Sequence, residues 1–253
     1  MDMPVNTFKH AIRAGCPQIG LWCSLCSNYA VEVLATVGYD WLLLDTEHSP
    51  NELPLLHSQL QAVAAGNSTP IIRPAWNDMV AIKRFLDIGV QTLLIPYVQT
   101  REEAEQAVAS TRYPPHGLRG VSMSSRANRF GRVKDYFKRV DEEMCVLVQI
   151  ETRLGLENLE AITGVEGIDG VFIGPADLAA GLGHLANIGH PEVQGAISDA
   201  IRRIHTCGKA PGILTGVEAD AQRYLAEGAL FVAIGSDLNL LARQSEALLG
   251  RFH

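Results

Sequence analysis

No apolar run in this 253-residue chain approaches the ~18 residues a helix needs to cross a bilayer, so the pattern offers no membrane span. Positive charge is scarce. The 21 Lys and Arg face 28 Asp and Glu, giving a formal net charge of -7 that is spread along the chain without a basic stripe. A protein so composed is not built to neutralise a nucleic-acid backbone. Cysteine is sparse and odd in number (Cys16, Cys23, Cys26, Cys145, Cys207). Cys23 and Cys26 form a C-x-x-C, but the second pair that a zinc knuckle requires is missing. Met1 to His10 contains no apolar signal core. Together these point to reduced thiols in a cytoplasmic protein.

Certain chemical signatures are missing too. No G-x-G-x-x-G follows the first apolar run, as a dinucleotide fold would show. No G-x-S-x-G elbow occurs. None of the five lysines (Lys9, Lys83, Lys134, Lys138, Lys209) falls where a strand would aim it into an active-site mouth, and a Schiff-base aldolase needs such a lysine.

What is present is an alternation. Eight short runs rich in Val, Ile and Leu recur: Ile19–Ser24, Trp41–Asp45, Pro70–Pro74, Thr92–Val98, Cys145–Glu151, Gly170–Gly174, Ala210–Leu214 and Phe231–Gly235. Their nearly unbroken apolar character predicts parallel strands covered on both faces. Between them lie helical spacings: Leu53, Leu56, Leu60 and Val63; Ile82, Phe85 and Leu86; Val193, Ile197, Ile201 and Ile204. Gly38, Gly66, Gly89, Gly208 and Gly228 sit where helices end. Eight such units in this length predict a (β/α)8 TIM barrel spanning 1–253 as one domain. Tyr113 to Asp141 is irregular, with Pro114-Pro115 and a serine-rich run starting at Ser122. It reads as a functional loop or as an excursion over the active-site face. Asp237 to His253 reads as a final amphipathic helix that either closes the barrel or reaches a neighbouring subunit.

Active sites of such barrels lie at the C-terminal strand ends, which here carry Trp22, Asp45, Glu47, His48, Arg73, Gln149, Glu151, Gly174, Asp177 and Leu214. Glu151 and Asp177 end adjacent strands and form a carboxylate pair suited to a hard divalent ion such as Mg²⁺ or Mn²⁺. Gln149 shares the face of Glu151 by the two-residue period of a strand. Arg73, held extended by Pro74, offers a planar fork for an oxyanion; the plainer alternative is an intramolecular salt bridge. His48 is the natural general base, flanked by acids in Asp45-Thr46-Glu47-His48. Backbone amides after Gly174-Pro175 open a helix and suit a carboxylate; the alternative is a simple tight turn.

These stretches closely resemble the HpcH/HpaI family of metal-dependent pyruvate aldolases. The resemblance rests on Pro17-Gln-Ile-Gly-Leu-Trp22, Trp41-Leu-Leu-Leu-Asp-Thr-Glu-His48, Ile72-Arg-Pro-Ala-Trp-Asn-Asp78 and Thr92-Leu-Leu-Ile-Pro96. It continues through Arg112-Tyr-Pro-Pro, Arg119-Gly-Val, Val148-Gln-Ile-Glu-Thr152, Gly170-Val-Phe-Ile-Gly-Pro-Ala-Asp-Leu178 and Lys209-Ala-Pro-Gly-Ile-Leu214, covering about Phe8 to Arg251. It implies reversible cleavage of a 4-hydroxy-2-oxo acid, with 4-hydroxy-2-oxoheptane-1,7-dioate as the implied substrate, to pyruvate and an aldehyde. It implies a divalent metal (Mg, Mn or Co) on Glu151 and Asp177, Arg73 at the enolate oxygen, and His48 as base beside Asp45. Trp22, Gln149, Gly174, Pro175, Ser122 and Leu214 are implied around the substrate. Asp87 is implied to pair with His48 of a neighbouring subunit in a homohexamer, a dimer of trimers. The residues alone would leave Asp87 as a solvated helix position. Thr46 and Ser49 depart from the Gly and Ala of some relatives, which bears on the aldehyde accepted. Two other readings are an aldolase for deoxy-sugar acids and a non-catalytic barrel that binds a 2-oxo acid.

Overall fold

The computed structural model describes residues 1–252. A first helix, α1 (Thr7–Arg13), precedes β1 (Gln18–Cys23), α2 (Asn28–Ala35), β2 (Trp41–Asp45), α3 (Leu53–Val63), β3 (Thr69–Arg73), α4 (Met79–Asp87) and β4 (Thr92–Ile95). The second half runs α5 (Arg101–Thr111), α6 (Tyr136–Glu143), β5 (Cys145–Ile150), α7 (Arg153–Glu157), α8 (Leu159–Thr163), β6 (Ile168–Ile173), α9 (Pro175–Gly181), α10 (Pro191–Thr206), β7 (Ala210–Leu214), α11 (Glu218–Ala226), β8 (Phe231–Ser236) and α12 (Asp237–Leu249). The eight strands pair in sequence order, all parallel, and β8 closes on β1. The expected (β/α)8 barrel is therefore the fold. All eight expected strands are present, the fourth ending at Ile95 rather than Val98.

Alternation of side chains divides the strands into two cores. Residues such as Leu42, Leu44, Val146 and Val148 point outward to the helices. Trp41, Leu43, Ile71, Leu94, Leu147, Phe172 and Phe231 point inward and fill the barrel. Glycine makes the large rings fit. A Cβ on Gly20 would lie 2.1 Å from the Trp41 ring, and one on Gly212 2.1 Å from Phe231.

The lower end is stoppered by α1, an element the sequence pattern did not disclose. Its Phe8 is fully buried and packs edge-on against Trp41 and Phe231 at 6.1 and 5.8 Å. Lys9 is buried there and donates to the carbonyls of Asp141 and Met144, while Arg13 binds Asp169 at 2.8 Å. The stretch from Tyr113 to Asp141 is only partly irregular, because α6 begins at Tyr136. At the upper end, buried Asp237 accepts from the amides of Ser24 and Leu25, tying the start of α12 to β1. Asp237 is the one buried residue of α12. Leu238, Leu241, Leu248 and Leu249 are all more than half exposed. Four of the five expected helix-ending glycines (Gly38, Gly89, Gly208, Gly228) adopt positive φ. Gly66 does not; it is there because a Cβ would strike the Ala35 carbonyl at 1.8 Å. No described helix is long and apolar enough to cross a membrane.

Candidate active site

Strand register assembles the site. The pairing of β2 with β3 sets Asp45 opposite Arg73, and both side chains point into the upper barrel. Arg73 Nε donates to Asp45 Oδ1 at 2.9 Å and Nη2 to Oδ2 at 2.8 Å, a two-pronged pair with both groups buried. The third nitrogen, Nη1, lies 2.8 Å from Glu47 Oε2 but off the hydrogen-bonding direction, so that oxygen keeps an unused lone pair. The Trp22 ring lies beneath the guanidinium, 4.9 Å from centroid to Cζ, and tilts against Phe172 at 5.4 Å. The salt bridge anticipated as the plainer fate of Arg73 is real, and it sits inside the site.

The turn after β2 is folded around Asp45. Glu47 N–H donates to Asp45 Oδ1 at 3.0 Å, and the Thr46 hydroxyl donates to the Arg73 carbonyl at 2.7 Å. Thr46 thus ties the turn to β3. Ser49 Oγ also reaches Asp45 Oδ2, at 3.5 Å. The turn leaves His48 exposed at the cavity rim.

On the opposite wall, Glu151 is 3% exposed. Gln149 Nε2 donates to its Oε2 at 2.5 Å, and Tyr97 N–H donates to its Oε1 at 2.9 Å. Tyr97 takes a φ of +56°, strained for a bulky residue, and that conformation accompanies the amide that binds Glu151. Gln149 Oε1 is buried without a partner. Gly174 crowds the same carboxylate, since a Cβ there would lie 2.5 Å from Glu151 Oε2 and 2.8 Å from Glu151 Cβ. Gly174→Ala will therefore displace the carboxylate. Overpacking of this kind costs about 1–3 kcal/mol, which a thermal melt of the variant will show as a lower midpoint; an unchanged midpoint would mean the carboxylate yields freely. Pro175 starts α9, and Asp177 in its first turn lines the cavity.

Acids outnumber bases here. Asp45, Glu47, Glu151 and Asp177 stand against the one guanidinium of Arg73. Burial raises the pKa of Asp45, but the hydrogen bonds and charge of Arg73 prevail and hold it below the usual carboxylate range. Burial raises Glu47 against the pull of Arg73, with Asp45 and Asp177 adding to the rise. Burial also pushes Glu151 up to about 7; the Gln149 bond opposes this, and the charges of Glu47 and Asp177 reinforce it. A site in which carboxylates raise one another, with an orphaned amide oxygen and a glycine-shaped cradle beside them, has the donor set and charge deficit that a divalent cation satisfies.

The cavity over these groups is about 460 Å³. Trp22, His48, Arg73, Gln149, Gly174, Pro175, Asp177 and Leu214 line it as anticipated, with Asp45 and Glu151 set behind. Two anticipated residues do not join them within the chain. Ser122 lies outside, its hydroxyl 3.4 Å from the Ser124 carbonyl. Asp87 is held at the surface by buried Arg119, 3.3 Å from Nη2 to Oδ1. Sequence reading underrated Glu47 and missed the Tyr97 amide. The only signal for Glu47 was its place two residues beyond a strand end. No lysine lines the cavity: Lys9 and Lys209 are engaged by carbonyls at the lower end.

Residues 18–244 match the family described as HpcH/HpaI aldolase/citrate lyase. A "pyruvate aldolase" of Rhizobium etli is 59% identical over 252 residues, covering 100% of this chain and 99% of the relative. A "4-hydroxy-2-oxo-heptane-1,7-dioate aldolase" of Klebsiella pneumoniae is 59% identical over 248 residues, covering 98% and 94%. The crystal structure of an HpcH/HpaI aldolase/citrate lyase family protein of Burkholderia cenocepacia superposes with a TM-score of 0.95 at 39% identity, covering 98% and 99%. The barrel, its strand-end acids and these likenesses agree: the chain belongs to the HpcH/HpaI aldolase/citrate lyase family.

Proposed function

We propose that this chain catalyses the reversible aldol cleavage of 4-hydroxy-2-oxo acids to pyruvate and an aldehyde, with a divalent cation held by Glu151 and Asp177. The observation that carries the reading is one buried guanidinium facing an uncompensated carboxylate cluster across a cavity rimmed by a histidine. When bound, the ion supplies Lewis acidity to the 2-oxo acid and offsets the charge of the cluster.

The protein's own groups do the rest. Arg73, fixed by Asp45 and Glu47, presents positive charge where the C2 oxygen becomes an enolate. His48 accepts the proton of the C4 hydroxyl. As the C4 carbonyl of the aldehyde forms, the C3–C4 bond breaks and its electron pair passes into the enolate of pyruvate. Protonation at C3 then completes pyruvate. Gln149 and the Gly174-Pro175 backbone hold the carboxylate end, and Trp22 and Leu214 form apolar walls. A Schiff-base route has no lysine in the cavity to use.

The seven-carbon diacid named for the Klebsiella relative is the substrate of choice for this chain. Deoxy-sugar acids share its pyruvate half, so a panel of aldehydes separates the two. The free thiols of all five cysteines support a reducing, cytoplasmic setting. A homo-oligomer, in the form of a hexamer built as a dimer of trimers, is part of the proposal. It is supported by the leucines exposed on α12 and by the carboxylate of Asp87, which Arg119 presents at the surface for His48 of a neighbouring copy.

The test is pyruvate release from 4-hydroxy-2-oxoheptanedioate after treatment with EDTA, and again after Mg²⁺, Mn²⁺ or Co²⁺ is restored. Loss on chelation and recovery with metal is expected. Undiminished release from metal-free protein would refute the metal assignment.

A further inference from the structure

The loop between α9 and α10 gathers ligands for which the aldol chemistry has no use. Among the described residues, one group brings three His, Cys, Asp or Glu ligand atoms within 4.8 Å of one another: His184, His190 and Glu192. Chain geometry explains the meeting. Ala186 takes a φ of +61°, Asn187 N–H donates to the His184 carbonyl at 2.9 Å, and His190 N–H donates to the Asn187 carbonyl at 3.1 Å. These turns fold His184 back over His190. The imidazoles stack at 3.5 Å between centroids with planes 16° apart. His184 Nε2 lies 2.7 Å from Glu192 Oε2, and Glu192 N–H donates to His190 Nδ1 at 3.2 Å. No lysine or arginine among the described residues ion-pairs with Glu192.

His190 Nδ1 accepts the Glu192 amide, so that ring nitrogen presents an in-plane lone pair to the cluster. Two imidazoles and one carboxylate form the donor set of borderline ions, and differ from the all-oxygen set around Glu151 that suits Mg²⁺. We propose that His184, His190 and Glu192 bind a second divalent ion of the Zn²⁺, Ni²⁺ or Co²⁺ class, which clips this loop beside the mouth of the cavity. Ile188 and Gly189 of the same loop line the cavity, so the ion fixes part of its wall.

Binding has a cost that the geometry defines. His190 Nδ1 now caps α10 by accepting the Glu192 amide. Coordination through Nδ1 displaces that amide, and coordination through Nε2 places a proton on Nδ1. The stacked rings must also splay for their in-plane lone pairs to converge on one ion. The loop therefore reorganises when the ion enters.

The experiment is calorimetric titration of tag-free, metal-stripped protein with Ni²⁺, followed by Co²⁺ and its visible absorption. Wild-type protein is expected to take two equivalents per chain. His184→Gln and Glu192→Gln should each take one, with Mg²⁺-supported pyruvate release retained. The pair Glu151→Gln/Asp177→Asn should keep the other equivalent. That variant separates the two proposals, because it removes the aldolase metal and leaves the loop ligands whole. Binding that is undiminished in both His184→Gln and Glu192→Gln, or that disappears entirely in Glu151→Gln/Asp177→Asn, overturns the assignment. Circular dichroism of each variant confirms that lost binding is not lost folding.

Discussion

Glu151→Gln will stabilise the metal-free barrel above neutral pH and abolish its stabilisation by Mn²⁺. Burial of the carboxylate lifts its pKa from 4.5 to about 7. Between those values the folded chain keeps a proton that the unfolded chain has released. The contribution of this group to stability is therefore greatest below pH 4.5 and falls as pH rises toward 7. At 1.36 kcal/mol per pKa unit the loss is of the order of 3 kcal/mol, an upper figure because water and ions penetrate such sites. Glutamine keeps the shape and has no charge to bury, so the variant lacks this slope. With Mn²⁺ present the order reverses, because only the carboxylate gains from the cation. Pyruvate release should fall on the order of 10²-fold or more, as when a group that stabilises developing charge is removed. Thermal melts on both sides of neutrality, with and without Mn²⁺, check the two signs. A Gln variant still stabilised by Mn²⁺ as wild type is would place the ion elsewhere.

Arg73→Ala should damage both chemistry and fold. The enolate loses its fixed positive charge, which is worth about 10²–10³-fold in turnover. Asp45 and Glu47 lose the cation that compensates their burial, and breaking a buried pair from one side costs about 3–5 kcal/mol. The pH dependence identifies the cause. Arg73 holds the Asp45 pKa below its usual value, so the pair stabilises the fold at neutral pH and the contribution fades as pH falls through that lowered pKa. The gap in stability between Arg73→Ala and wild type should therefore narrow in acid. Arg73→Lys should recover charge but not function, because an ammonium cannot hold Asp45 by two prongs and still approach Glu47. Steady-state pyruvate release and urea unfolding across pH test both halves. Near-normal turnover in Arg73→Ala would remove Arg73 from the reaction.

The sequence displays the barrel because its strands are buried on both faces. Trp41 to Asp45 and Ala210 to Leu214 have the expected bounds to the residue. The lower stopper is hidden because Phe8 and Ile12 are the only large apolar side chains in a short segment, and the burial of Phe8 depends on the two rings it meets across the barrel. The candidate site is legible where a buried polar side chain and a strand end coincide, as at Glu151, Gln149 and Arg73. It is obscure where a side chain works from a turn. Glu47 enters the site only because its amide and that of Thr46 are both bound by groups at the strand ends. The Tyr97 amide belongs to no side-chain pattern, and its left-handed backbone leaves no trace in residue type.

The packed column inside the barrel runs from Phe8 through Trp41 and Phe231 to Phe172 and Trp22, directly below Arg73. Such a floor cannot recede, since enlarging it would open a void through the axis of the molecule. Variation that admits longer or differently shaped aldehydes is thereby confined to the turns and helix starts around the rim. Descendants of this sequence can change what they cleave by altering those segments, while the groups that carry out the cleavage stay anchored in a part of the protein that tolerates almost no change.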